Sequence, residues 1–399
     1  VKKIVVLSLL ILVCFSCGIF DSRINFNQGK AFHPYYCDSI SFDYVRGKII
    51  LPVTIQGDTF NFLFDSGAPT IVSEKLKTKF SFVSLGTDTI KDVHANKSNK
   101  QIVILDSLLL GGVRFDGTPA LVSKFDDPPW SCFNIDGFIG SNLLRNSIVK
   151  IHINKQFIVL SDRLRNDLEY QDMCSMKMNL DYQSSPHVTL ALGKHIEETF
   201  LFDTGSDIFI SLNTEKFNEC RESLSLKNLR NGFGSGTMGL FGTGKRESTY
   251  KLRLDSVDFC NSTISEPIFR VNNTSSKIGT KIFNYGSIIL DYKNQQLFFD
   301  SEDETMTFKT LSESEFGFMP VIKDDKFQIG VIWENSLADS LGLEPGYEIL
   351  QINEYDFNTS LNKSFCEIFI NEPLKAVDTL NITYKNDYGE RKFIQLIRK

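Results

Sequence analysis

The sequence predicts a mainly β protein: two copies of one β-rich unit, then a smaller domain of different pattern. Three observations predict it. Short, aromatic-rich apolar runs bounded by turn residues recur along the chain, and long helical periods are few. One run recurs with its flanks, Phe62-Leu63-Phe64-Asp65-Ser66-Gly67 being echoed by Phe200-Leu201-Phe202-Asp203-Thr204-Gly205. Beyond an acidic, polar stretch at residues 303–310 the pattern changes.

Of 399 residues, 42% are apolar and 23% charged, the balance of a globular protein with room for two or three domains. A net charge of −6 without a long basic run argues against nucleic acid as a partner.

The N-terminus stands apart. Lys2-Lys3 precedes an apolar run from Ile4 to Val13, then Cys14-Phe15-Ser16-Cys17-Gly18. These are the basic and apolar regions of a secretory signal, short for a transmembrane helix. Ser16-Cys17-Gly18 resembles a bacterial lipoprotein cleavage site, with Cys14 where such sites usually carry leucine. The resemblance implies a signal peptide over residues 1–17, lipidation of Cys17, export, and anchoring to a membrane, expected to be the outer membrane. An ordinary cleaved signal or an uncleaved anchor is the alternative. Six cysteines follow: Cys37, Cys132, Cys174, Cys220, Cys260 and Cys366. They contain no Cys-x-x-Cys, so a zinc site is not expected. Export permits disulfides. Cys220 with Cys260 is the first pair to test, and six buried free thiols fit equally well.

Residues 18–44, polar and aromatic without periodicity, read as a tether with an edge strand at 39–42. The first unit spans 45–165. Ile49 to Ile55 is a strand, and Gln56-Gly57-Asp58 turns it into the strand that ends at Asp65. Ser73 to Leu76 begins a short helix. Residues 102–105 and 108–110 are strands, and Gly111-Gly112 turns into Val113-Arg114-Phe115. The polar segment 92–100 is the expected place for a mobile hairpin over a cleft.

The second unit, 166–302, repeats the plan. His187 to Leu192 is a strand, Gly193-Lys194 a turn, and Thr199 to Asp203 the second aspartate strand. Residues 232–244 are glycine-dense. They lack the Gly-Lys-[Ser/Thr] that closes a phosphate cradle, since Lys245 is followed by Arg246, and read as a loop or hairpin bordering the cleft. Residues 303–314 read as a linker.

In the C-terminal stretch, Phe316-Gly317-Phe318 leads to a strand near 328–332. Ser336-Leu337-Ala338, Leu341-Gly342-Leu343 and Pro345 through Asn353 follow. This order resembles a PDZ domain over about 315–399, with Gly346-Tyr347 where Gly-Asp is usual. The resemblance implies that the Phe316, Gly317 and Phe318 backbone binds a peptide's C-terminal carboxylate and that the adjacent strand edge accepts an added strand. A groove closed by packing against the preceding units is the alternative.

The repeat carries the chemistry. After each glycine the chain returns to an apolar run and reaches a serine, Ser73 or Ser211, at the same separation as Asp65 and Asp203. Farther on, residues 147–159 match 287–299 at a separation two residues longer, and Gly140 has a counterpart in Gly279. One aspartate per copy suggests a two-fold arrangement that brings the carboxylates together.

Asp65-Ser66-Gly67-Ala68 and Asp203-Thr204-Gly205-Ser206, each followed by an apolar-apolar-Gly element, resemble the pepsin- and retropepsin-type aspartic proteases over roughly residues 45–302. The resemblance implies a bilobed pair of β-barrels, 45–165 and 166–302, with Asp65 and Asp203 catalytic. Ser66 and Thr204 would orient the carboxylates, and Gly67 and Gly205 would let the loops approach. The substrate would be a peptide or protein, and neither metal nor cofactor is required. The alternatives are two packing repeats with turn aspartates, or a non-catalytic exported peptide-binding lipoprotein that retains the protease fold. His33, His94, His152, His187 and His195 lack metal-ligand spacing, and no Gly-x-Ser-x-Gly elbow marks a serine nucleophile.

Overall fold

The computed structural model describes residues 24–164, 173–193, 196–260, 262–301, 305–307 and 316–398. The signal segment, Cys17 and most of the expected linker lie outside the described residues. The chain is mainly β.

In the first unit, Lys48–Ile55 and Asp58–Asp65 form the expected hairpin. Its turn residues Gln56 and Gly57 both take positive φ, the geometry that matches the twist of two-residue hairpins. The outer half of Asp58–Asp65 is largely exposed, and Phe62, Leu63 and Phe64 are fully buried. The strand thus runs from surface to core and delivers Asp65 at its inner end. Gly137–Gly140 pairs in parallel with Phe62–Asp65 and antiparallel with Ile71–Ser73, so the Asp-Ser-Gly loop wraps around Gly140. A Cβ on Gly140 would overlap the backbone of Ala68, Pro69 and Thr70, which is why only glycine fits.

The second unit repeats this arrangement. Lys277–Ile278 pairs in parallel with Ile196–Phe202 and antiparallel with Ile210–Asn213, and Gly279 fills the place of Gly140. One correspondence shifts. Ser73 caps the helix Glu74–Phe80, accepting from Leu76 N at 3.1 Å. The matching helix Thr214–Cys220 is capped by Asn213, not Ser211. Ser211 is buried in the strand, its hydroxyl without a hydrogen-bond partner among the described residues. The longer separation of the later repeat therefore begins in the loop after Gly205, which is two residues longer than its counterpart and contains Asp207.

The later repeat supplies a six-stranded sheet. Its strands run Cys174–Lys177, Gln296–Ser301, Gly286–Asp291, Ile148–His152, Phe157–Ser161, Cys37–Ser41. The two matching hairpins meet back to back where Ile148–Ile151 pairs with Ile288–Asp291. One buried cluster then runs through both units, from Ile40 to Phe299.

Several expectations need correction. Residues 24–44 are not a free tether: Phe26 is buried, Lys30–Ala31 pairs with Phe115–Asp116, and Cys37–Ser41 closes the six-stranded sheet. Within the expected linker, Thr305–Thr307 pairs in parallel with residues 263–265. Cys220 does not pair with Cys260. Cys174–Cys260 and Cys132–Cys366 are the disulfides, and Cys220 and Cys37 are free. Cys220 faces the core at the end of its helix, 6% exposed, so nearness in sequence did not bring it to Cys260.

The C-terminal stretch has its own core, including Phe327, Ile329, Leu343, Ile349, Ile352 and Ile382. It is nevertheless joined to the units before it. Lys326–Trp333 pairs with Leu226–Gly234 through Gly232↔Trp333, Phe233↔Ile332 and Gly234↔Val331. Side chains at Gly232 and Gly234 would collide with Trp333 and the Gly330 carbonyl, which accounts for part of the glycine density. The helix Leu361–Asn371 sets Phe369 edge-to-face against Phe133, and Cys132–Cys366 fixes that contact across 234 residues. Removing this bond by Cys132→Ser with Cys366→Ser is expected to lower stability by about 2–4 kcal/mol, measured as a lower midpoint of urea unfolding.

Candidate active site

Asp65 and Asp203 end the two matching strands and are 9% and 7% exposed. The loops that carry them are tied across the two units. Ser66 Oγ donates to the Phe202 carbonyl at 2.5 Å, and Thr204 Oγ1 donates to the Phe64 carbonyl at 3.0 Å. Each hydroxyl also accepts the other's backbone N–H, Thr204 Oγ1 from Ser66 N at 2.9 Å and Ser66 Oγ from Thr204 N at 3.0 Å. Ser66 and Thr204, the residues expected to orient the carboxylates, thus tie the two loops to each other. Below them Ser141 Oγ donates to the Ser66 carbonyl at 2.8 Å and lies 2.9 Å from the Tyr292 hydroxyl. Asn142 Oδ1 accepts both the N–H and the hydroxyl of Thr70.

Each glycine lies against the opposite carboxylate. A Cβ on Gly67 would lie 2.9 Å from Asp203 Oδ1, and one on Gly205 would fall inside the Asp65 carboxyl group. Gly67 N donates to Asp65 Oδ1 at 2.9 Å. Gly205→Ala would drive its methyl into the Asp65 carboxyl, and is expected to spread the pair and lower the Tm, as thermal melts would measure.

Two lysines, Lys48 and Lys277, belong to the site and were missed in the sequence. Lys277 Nζ sits 2.9 Å from Asp203 Oδ2, both side chains nearly buried. Lys48 Nζ donates to the Gly205 carbonyl. The signal was there: Lys277 is a charge inside an apolar-apolar-Gly element whose first copy carries Phe138. Burial raises the Asp65 carboxyl, and the neighbouring Asp203 charge adds to it. Lys48, the Gly67 N–H and Lys277 oppose this, leaving it at about 7. For Asp207, upward pressure from burial is outweighed by Lys48, Arg270, Arg46 and Lys281, and its carboxyl is held below the usual range.

The polar segment 92–100 lies in a hairpin, Val83–Lys91 with Lys97–Leu110, whose tip is confined to residues 92–96. The tip rests on the glycine-dense segment. Asp92 Oδ2 accepts from Phe241 N at 3.0 Å, Asn96 Nδ2 donates to the Thr243 carbonyl at 3.3 Å, and His94 Nε2 lies 3.3 Å from Thr237 Oγ1. Burial lowers the His94 imidazole. On its other side the segment reaches the C-terminal domain: Met238 packs on that core, and Gly242–Thr243 lies beside Phe318–Lys323. A cavity of about 270 Å³ opens between the hairpin tip, residues 241–243 and residues 322–325. Neither it nor a smaller cavity beside His94 is lined by Asp65 or Asp203.

Phe316, Gly317 and Phe318 stand at the start of the C-terminal domain. Gly317 has φ +88° and its carbonyl accepts from Trp333 N at 3.0 Å and Ser336 Oγ at 3.2 Å. The Arg398 guanidinium lies 5.0 Å over the Phe316 ring.

Two stretches of a mainly β chain thus each place a buried aspartate, a hydroxyl residue and a glycine at one junction. Residues 51–143 match a family model described as aspartyl protease, which suggests a protease. The matched stretch holds Asp65, Ser66, Gly67 and Gly140 and ends before the second motif. No curated protein matches the chain.

Proposed function

We propose that the protein is an aspartic endopeptidase in which Asp65 and Asp203 share one proton. The observation that supports this best is the reciprocal tie between the Ser66 and Thr204 loops, with each glycine against the opposite carboxylate. Two adjacent buried carboxylates do not both ionise cheaply, so one stays protonated over a working range. The ionised partner takes a proton from water as its oxygen attacks the peptide carbonyl. The protonated partner gives its proton to the carbonyl oxygen. Collapse of the resulting diol breaks the C–N bond and delivers a proton to the leaving amine.

The raised Asp65 carboxyl sets a pH expectation. The singly protonated pair persists up to about pH 7, so kcat/KM should fall as pH rises through about 7. The test of the proposal is incubation with an unbiased peptide library, read by mass spectrometry for new termini, with and without a statine-type inhibitor. Inhibitor-sensitive cleavage is expected; its absence overturns the reading.

A second reading, a non-catalytic peptide-binding protein, draws support from Lys277, which occupies one oxygen of Asp203. It predicts that library peptides bind uncleaved. For the C-terminal domain the position of Gly242–Thr243 against Phe318–Lys323 favours a brace over an open groove for chain ends. Attachment to a membrane through lipidated Cys17, with export to the bacterial outer membrane, completes the proposal. Cys17→Ala should then leave the protein unprocessed or release it from membranes, as fractionation and mass spectrometry of the N-terminus would read.

A further inference from the structure

The two copies of the unit differ at one buried position beside the aspartates. In the first copy Phe138 pairs with Leu63 on one side and Ile71 on the other; in the second, Lys277 pairs with Leu201 and Ser211. Both precede the Ile-Gly that the aspartate loop wraps, so the positions correspond. Phe138 is 2% exposed and packs on Phe125 and Trp130. Lys277 is 8% exposed and directs its amine to Asp203 Oδ2. A second buried amine, Lys48, ties down the Gly205 carbonyl in the same loop. Asp65 in contrast accepts the neutral Gly67 N–H. The sequence duplication built a matched pair, and Lys277 bonds one member of it directly, while Lys48, tied to the Gly205 carbonyl, also acts on Asp65 through its charge.

A buried ammonium is costly unless an anion stands beside it. A pair of facing carboxylates holds one shared proton, and an anion pinned on one member leaves that proton to the other. We propose that Lys277 breaks the symmetry of the pair, holding the anion on Asp203 and leaving the proton on Asp65. The charge pattern agrees: burial and the Asp203 charge push Asp65 up to about 7 despite Lys48 and Lys277. The other groups facing the pair do not supply a competing anion for Lys277. Tyr292, whose hydroxyl is raised by burial, is neutral, and His94 is lowered by burial. Asp207 lies among Lys48, Arg270, Arg46 and Lys281.

Resting on the peptidase reading, this assigns the roles. Asp65 gives its proton to the substrate carbonyl oxygen. Asp203 takes the water proton on Oδ1, the oxygen that faces Gly67 and is free of Lys277. On collapse the diol returns a proton to Asp65, and Asp203 passes its own to the amine as the C–N bond breaks, so both groups end as they began. Lys277 is a positioning residue: it touches Asp203, not the substrate.

The test is carboxyl-carbon NMR of the full chain labelled at aspartate, titrated from acid to alkaline pH, with Asp65→Asn and Asp203→Asn assigning the two signals. In the wild type, the signal lost in Asp65→Asn should titrate near neutrality while that lost in Asp203→Asn keeps its carboxylate position. Lys277→Met should spread the titration over both signals, and Lys277→Arg should restore the wild-type pattern. On a cleaved peptide, the acid limb of kcat/KM in Lys277→Met should move alkaline by about 1 pH unit. The proposal is overturned if the Asp203 signal takes the proton in the wild type, or if Lys277→Met leaves both titrations unchanged. Should Lys277→Met fail to fold, the wild-type and Lys277→Arg titrations decide alone. The NMR readout needs no turnover, so loss of the peptidase reading would show separately as intact titrations without cleavage.

Discussion

Asp65→Asn and Asp203→Asn are each expected to lower kcat for peptide hydrolysis by about 10³–10⁴-fold or more, the scale of losing acid–base catalysis. Neither amide can hold or release the shared proton, and no other group beside the pair among the described residues replaces it. The two variants should differ in stability. Asp65→Asn replaces a protonated carboxyl with a neutral amide and keeps an oxygen for the Gly67 N–H, so its Tm should match the wild type below about pH 7 and exceed it above, where the buried Asp65 would otherwise ionise. Asp203→Asn leaves the buried Lys277 amine without its anion, and unpairing a buried charge is strongly destabilising. Its Tm should fall. A fluorogenic peptide assay and thermal melts check both statements; a variant that keeps most of the wild-type rate would contradict the shared-proton mechanism.

Deleting residues 311–399 is expected to abolish cleavage of short blocked peptides and of whole proteins alike. The C-terminal domain closes the edge of Leu226–Gly234, packs on the partly buried Met238, and bonds Cys366 to Cys132. Its removal bares the strand edge and leaves the glycine-dense segment without its floor. That segment in turn holds the hairpin tip through Phe241 and Thr243. The truncated chain should therefore show a lower Tm and lose activity on both substrate types. Retained cleavage of short peptides with loss only on proteins would instead make the domain a substrate handler.

Much of this was legible in the sequence because it depends on local pattern. The aspartate strands, the Gln56-Gly57 turn and the wrapped glycines Gly140 and Gly279 follow from apolar runs and from backbone that tolerates no Cβ. The repeat also matched residues 147–159 with 287–299, which the fold sets side by side as two hairpins. What escaped depends on contacts between distant segments. The partners of Cys174 and Cys132 are brought by the fold, across 86 and 234 residues, and spacing carries no record of them. The insertion in the loop of Asp207 was visible as a change in repeat separation, yet Ser73 and Ser211 lie at equal separation in the sequence while Asn213 is the residue that takes the place of Ser73 at the helix start. Lys277 was the most informative residue left unread: a charge in a buried repeat position needs a partner, and the nearest anion in the duplicated plan is the aspartate itself.

The central claim is that two aspartates from separate copies make one site. A crystal structure of the full chain with a statine-type peptide measures this directly. The account predicts the inhibitor's hydroxyl within hydrogen-bond distance of both Asp65 and Asp203, with the hairpin tip at residues 92–96 over the bound chain. An inhibitor bound elsewhere, or carboxylates too far apart for one hydroxyl or water to bridge, would contradict it.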